Sequence, residues 1–204
     1  MHKLSHNNLA GFFLSLNAAL MWGMLPIVIK ELLAGMDATT VVWYRFLVAG
    51  VVLGIWLLVT RKLPPLLQVT STIRWLLLIA AISLSVNYFL FSFSLNYVNA
   101  ETSEAVIQLT TLFLILGGVV FYKEPFFAVQ KIGTLLIVIG LLLFFHDRFA
   151  ELGSLENRQT IGVIIVVFAA ITWVVYALLQ KQLLRDFSSV QILFFIYLFA
   201  IVLL

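Results

Sequence analysis

Residues 11–33, GFFLSLNAALMWGMLPIVIKELL, return in outline at residues 162–184 as GVIIVVFAAITWVVYALLQKQLL. Gly11, Ala18, Ala19, Trp22, Lys30, Leu32 and Leu33 fall on Gly162, Ala169, Ala170, Trp173, Lys181, Leu183 and Leu184, each 151 positions further on and without a gap. Alanine, glycine and leucine coincide by chance in apolar helices. The tryptophan and the lysine in the same register carry the relation. What it means depends on how many membrane crossings separate the two copies.

Composition makes crossings the unit to count. Of 204 residues, 63% are hydrophobic and 10% charged, and the mean hydropathy is +1.14. A soluble domain carries about 25% charged residues to face water, so this outer surface faces lipid. Apolar segments run over 9–29, 38–60, 73–98, 105–122, 129–145, 161–179 and 190–204. About 20 residues, at roughly 1.5 Å each, cross a hydrocarbon core of about 30 Å. The first six segments approach or exceed that length; the last is short, and the chain is expected to be a fragment. The runs are continuously apolar and do not alternate, which predicts helices, not barrel strands. The fold class is therefore all-α, a polytopic transmembrane helix bundle. Segment 9–29 exceeds the roughly 7–15 residues of a signal-peptide core and reads as a retained first helix. The joints carry breakers (Gly35 before Asp37, Pro64-Pro65, Pro125, Gly153), and none could hold a folded domain.

Charge predicts the orientation. With the N-terminus inside, the inner connections hold Lys3, Arg61, Lys62, Arg74, Lys123, Lys131, Lys181 and Arg185, and the outer ones only Lys30, Arg148 and Arg158. That is the asymmetry the positive-inside rule requires. Glu124 and Asp186 also fall inside, and the other acidic residues outside. Five segments separate the two copies, so the first begins inside and the second outside. A repeat of odd span number is inverted, with a pseudo-two-fold axis in the membrane plane. Many secondary transporters are built so, with the binding site near the midplane at the repeat interface.

Three stretches carry a family resemblance: NAALMWGMLPIVIK at 17–30, VVWYRFLVAG at 41–50, and AVIQLTTLFLILGGVVFYKEPFFAVQKIGTLLIVIGLLL at 105–143. Together they resemble the drug/metabolite transporter superfamily, EamA type, over essentially the whole chain. The resemblance implies ten helices in two inverted repeats of five. Residues 1–148 would be the first repeat and 149–204 the opening of the second. It further implies a bacterial inner membrane, a cytoplasmic N-terminus, and alternating-access export of small polar or amphipathic metabolites such as amino acids. The family often has proline in the middle of segment four. This chain has Thr110-Thr111 there, so a proline bend is not expected.

Polar residues inside the spans are the candidate site. Arg45 lies about 10 Å from the outer end of segment two at 1.5 Å per residue. Such a charge costs about 2.5–3.5 kcal/mol at the bilayer centre. It reads either as an anion-binding group for a substrate carboxylate or as a packing arginine paired with Glu101 or Glu104. Glu101, Glu104, Gln108 and Thr111, spaced three and four apart, form one helical face, expected to turn inward. Segment three adds Ser83, Asn87 and Ser94 on one side and Ser85 and Ser92 on the other; segment one adds Asn17. Asn17, Asn87, Gln108 and Thr111 are candidate cavity-lining groups, with interhelical hydrogen bonding as the plainer reading. Trp22, before Gly23 and Pro26, predicts a locally irregular helix whose freed carbonyls and aromatics could meet substrate. Trp173 and Tyr176 are the counterparts in the second copy. Glu104 is the one carboxylate placed to couple proton movement. Gly50, Gly54, Gly117 and Gly118 read as close-packing positions.

Other chemistries find little support. There is no cysteine, no glycine-rich phosphate loop, and no metal-ligand spacing among His2, His6 and His146. No catalytic group, metal, cofactor or nucleic-acid partner is expected, since inner-loop lysines and arginines account for the net charge of +3. The expected partners are a small-molecule substrate, membrane lipid and the remaining second-repeat helices, with a homodimer left open. A membrane enzyme acting on lipids and a non-transporting scaffold or receptor are the alternatives. Neither has a residue cluster of its own.

Overall fold

The computed structural model describes residues 3–63, 70–148 and 157–204. The Pro64-Pro65 and Gly153 joints lie outside them. The described residues are helical apart from short joints: α1 Lys3–Leu32, α2 Ala38–Val59, α3 Ser71–Ser94, α4 Ala100–Ile107, α5 Leu109–Tyr122, α6 Ala128–Phe145, α7 Arg158–Leu183 and α8 Ser189–Leu203. A 3₁₀ turn, His146–Arg148, follows α6. Six stretches are long and apolar enough to cross a membrane, with α4 and α5 together making one of them, and α8 is a shorter apolar helix. The polytopic helical bundle predicted from composition is the fold observed.

Contacts at the helix ends set the directions. Trp43 Nε1, early in α2, donates to Ile201 O late in α8 at 3.1 Å, and Gln191 Nε2, early in α8, donates to Lys62 O just past α2 at 2.8 Å. α2 and α8 are thus antiparallel. The Arg158 guanidinium at the start of α7 sits over the Tyr97 ring just past α3, while Leu77 near the start of α3 shares a core with Leu183 at the end of α7. α3 and α7 are antiparallel too. Consecutive spans therefore alternate, and α7 runs opposite to α1.

α3 and α7 form the centre. They approach closely because their facing residues are small: Ala80, Ala81, Ser85 and Ser92 on α3, and Ala169 and Ala170 on α7, are all buried. Both polar sides of α3 are covered, since Ser85, Asn87, Ser92 and Ser94 are all buried. A Cβ at Gly117 would lie 2.7 Å from Leu178 Cδ1, so that glycine sets the approach of α5 to α7. Gly50 and Gly54 do the same for α2 against α8, where added Cβ atoms would meet Ile201 and Phe194. α1 and α6 lie at the edges, with most of their side chains exposed.

Two expectations are corrected here. α1 is helical straight through Pro26; proline forfeits one N–H bond, and the bonds on either side suffice to carry the helix on. The fourth segment is not one helix. At its joint the Gln108 amide nitrogen donates to Ala105 O and the Thr111 amide to Gln108 O, both three residues back. The carbonyls four residues back are taken by side chains instead: Gln108 Nε2 donates to Glu104 O at 3.3 Å, and Thr110 Oγ1 to Ile107 O at 2.7 Å. Side-chain donors break the ladder where the family often has a proline.

Candidate functional site

α2 places Arg45 some three to four residues from its own centre, within about 5 Å of mid-span. Its guanidinium carbon lies 4.5 Å from the centroid of the Tyr88 ring of α3. The expected carboxylate partners are not there: among the described residues, neither Glu101 nor Glu104 makes a salt bridge. The helices explain why. α4 packs on α7 and on α1, so its carboxylates lie away from the α2–α3–α8 junction. Arg45 is held by a ring face, a contact worth about 0.5–2 kcal/mol depending on desolvation.

That junction is aromatic. The Phe46 ring is buried, with Tyr88 at 5.0 Å and Tyr197 at 5.4 Å between centroids. Tyr176 is buried in the adjoining α3–α7–α8 core, where Trp173 packs beside it. Phe46 and Tyr197 are 151 positions apart, the spacing of the repeat, and so are Gly50 and Ile201, where a Cβ added to the glycine would lie 3.3 Å from Ile201 Cδ1. Corresponding residues meet each other only close to a two-fold axis. The α2–α8 pair therefore crosses where such an axis would pass, at the depth of Arg45.

Beside the junction lies an open cavity of about 750 Å³ between the end of α1, the outer face of α2 and α8. Arg45, Tyr44 and Tyr197 line it, with Val48, Val52 and Leu193 among its apolar walls.

The structure gathers some of the sequence candidates and not others. Arg45, Trp173 and Tyr176 lie at or near the aromatic junction. Asn87 is buried between α3 and α7, with Nδ2 donating to Ala169 O at 2.7 Å; that bond joins the two central helices. Asn17 and Trp22 are exposed on α1, away from the junction. Gln108 and Thr111 are exposed at the α4–α5 joint, and Glu104 is half-buried beside them. The inward polar face expected on segment four is thus largely exposed, because the helices packed on α4 and α5 cover the opposite side. Sequence reasoning missed Tyr88 and Tyr197. One signal was available: Tyr197 stands in repeat register with Phe46, next to the arginine. Among the described residues no group of His, Asp and Glu could hold a metal ion.

Antiparallel apolar spans, one of them carrying Arg45 against an aromatic junction, define an integral membrane protein of the polytopic helical class. The comparisons make that specific: the EamA-like transporter family matches residues 9–146, and the chain belongs to that family. It is 43% identical over 190 residues to an uncharacterized transporter of Haemophilus influenzae, covering 93% of this chain and 61% of that protein. It is 40% identical over 189 residues to the uncharacterized inner membrane transporter YhbE of Escherichia coli K12, covering 92% and 59%. A transporter of Vibrio cholerae is 26% identical over 178 residues. The chain thus spans about 60% of the length of the nearer two relatives. No solved structure matches.

Proposed function

We propose that this chain carries the first five-helix repeat, residues 1–148, and the opening of an inverted second repeat, 149–204, of a secondary transporter. The transporter resides in the inner membrane with its N-terminus in the cytoplasm, and it exports small polar or amphipathic metabolites, such as amino acids, by alternating access. The observation carrying this reading is the meeting of repeat partners, Phe46 on Tyr197, with Gly50 facing Ile201, across antiparallel helices. Two halves of opposite orientation that meet on one axis have two near-equivalent packings, open to opposite sides. The charge asymmetry of the connections supports the orientation, and the printed name of the Escherichia coli relative supports the inner membrane. Glu104 is the coupling candidate, being the half-buried carboxylate next to the α4–α5 joint.

The chain has no cysteine, so single cysteines can be introduced without a background. Cysteines at Gly35 and Lys123 should be labelled by an impermeant maleimide from the periplasmic and the cytoplasmic side, respectively. In proteoliposomes, counterflow of a metabolite panel should be faster than in empty vesicles. Labelling from the wrong sides would overturn the orientation. A folded protein that accelerates no solute would overturn the transport reading.

A further inference from the structure

The cavity at Arg45 has a chemistry that selects its occupant. Three features combine there. The Arg45 backbone lies about 5 Å from the middle of α2, and among the described residues its guanidinium makes no salt bridge to a carboxylate. The guanidinium lies on the face of Tyr88, and Tyr197 lines the same cavity; among the described residues neither a carboxylate nor a carbonyl accepts from its N–H groups. The cavity walls are otherwise apolar, and Tyr44, Val48 and Val52 are half-exposed or more, so the groove is open along its flank.

A lone arginine fork in an apolar groove fits one negative charge on a planar two-oxygen group, attached to an apolar body. Phospholipid phosphates sit at the edge of the hydrocarbon core, about 15 Å from the midplane. They are roughly 10 Å from the Arg45 backbone along the helix, whereas the Arg45 guanidinium is turned onto the Tyr88 ring at the junction. The volume of about 750 Å³ suits a compact organic molecule. A second negative charge would find no compensating cation at that depth. The occupant is a solute whose carboxylate reaches mid-membrane.

We propose that the groove between α2 and α8 binds an amphipathic monocarboxylate. Its carboxylate lies on the Arg45 guanidinium, and its apolar body lies along Val48, Val52 and Leu193. This names the substrate class of the transporter reading and takes its meaning from it, but equilibrium binding tests it separately. The full chain in phosphatidylcholine nanodiscs is titrated with 4-phenylbutyrate, the matching alcohol and the matching amine. The carboxylate should bind at least tenfold tighter than the alcohol, and the amine more weakly than both. Arg45→Gln should erase the carboxylate preference while leaving the alcohol affinity within about twofold; Arg45→Lys should keep part of it. Val52→Trp leaves the charge in place and fills the exposed wall, so it should weaken carboxylate and alcohol together. It also keeps the proposal testable if Arg45→Gln does not fold.

Equal affinity for carboxylate and alcohol, or a preference that survives Arg45→Gln, would overturn the proposal. So would unchanged binding in Val52→Trp. Tenfold loss of binding in phosphatidylglycerol nanodiscs would overturn it in favour of a lipid headgroup. Selective binding without any flux would leave the site standing and sink the transport reading. Flux of other metabolites without carboxylate selectivity would do the reverse.

Discussion

The α1–α2 and α7–α8 hairpins share a backbone and differ in almost everything it touches. Their corners, 33–37 and 184–188, make the same hydrogen bonds in the same order, from Leu33 N to Ile29 O and Leu184 N to Gln180 O through to Val41 N to Asp37 O and Ile192 N to Ser188 O. Each ends on a side-chain cap, with Asp37 accepting from Thr40 N and Ser188 from Gln191 N. Yet Ala169 and Ala170 of α7 are buried, while Ala18 and Ala19 of α1 are exposed. The same path serves a central helix in one copy and an edge helix in the other. Local sequence dictates the corner; the neighbours dictate the burial. The corner at 95–99, between α3 and α4, shares four of the five bonds, from Asn96 N to Phe93 O through to Ser103 N to Asn99 O, without belonging to the repeat. The corner is thus a general solution for antiparallel helices, and the repeat rests on the residues in register and on the α2–α8 crossing.

The sharpest way to break the comparison is at its paired glycines. A Cβ on Gly162 would lie 2.6 Å from Val98 Cγ1 and 2.7 Å from Tyr97 Cβ, whereas one on Gly11 meets nothing within 4 Å. Gly162→Leu should destabilise by about 1–3 kcal/mol through overpacking, and Gly11→Leu should change little. Thermal unfolding in nanodiscs reads the difference, and equal shifts would refute the central-versus-edge contrast.

The asparagines come next. Asn87→Ala removes the bond to Ala169 O and should cost about 0.6 kcal/mol, and up to about 1.7; Asn17→Ala on exposed α1 should be neutral by the same measurement.

The paired lysines differ less. Lys181 forms an ion pair with Glu124 and lies over the Tyr122 ring, tying α7 to the end of α5. Lys30 donates instead to Val98 O at 2.9 Å, at the α3–α4 corner. Lys181 and Glu124 are about half exposed, so Lys181→Ala should cost only a few tenths of a kcal/mol. That cost should shrink in high salt, while the smaller effect of Lys30→Ala should respond less because its acceptor carries no net charge.

The smallest difference is titratable. The Thr40 hydroxyl, 2.6 Å away, and the Thr40 amide donate to the Asp37 carboxylate and hold it below its ordinary value of 3.8. A depressed value means that the cap contributes fully above pH 3.8 and is lost as pH falls through the lowered value. Hydrogen exchange at Thr40 should therefore accelerate in that acid window, while exchange at Gln191, capped by a serine, should not. Asp37→Asn should abolish the acid response and keep the cap.

The spans were legible because crossing lipid needs long apolar runs, and composition reports that directly. The close-packing glycines were legible too, since Gly50, Gly54 and Gly117 meet the side chains of a partner helix. Which way a polar face turns was not legible. The periodicity of Glu101, Glu104, Gln108 and Thr111 defines a face, but its surroundings depend on helices far away in sequence. Arg45 stood out by its cost, whereas Tyr88 and Tyr197 did not, since tyrosine in a span is unremarkable until a cation is placed on its ring. The α4–α5 break was hidden for another reason. It comes from a competition for carbonyls that only geometry reveals.

That competition sets this interruption apart from one made by proline. Proline deletes a donor, and a bend built on a deletion is permanent. Here every amide survives: the Gln108 and Thr111 nitrogens have swapped acceptors, and Gln108 Nε2 and Thr110 Oγ1 hold the two vacated carbonyls. Restoring the ladder takes side-chain rotation and backbone adjustment at the joint, with hydrogen bonds exchanged and no covalent bond made or broken. The interruption of the fourth span is thus written in hydrogen bonds alone, with two side chains on the carbonyls the ladder gave up.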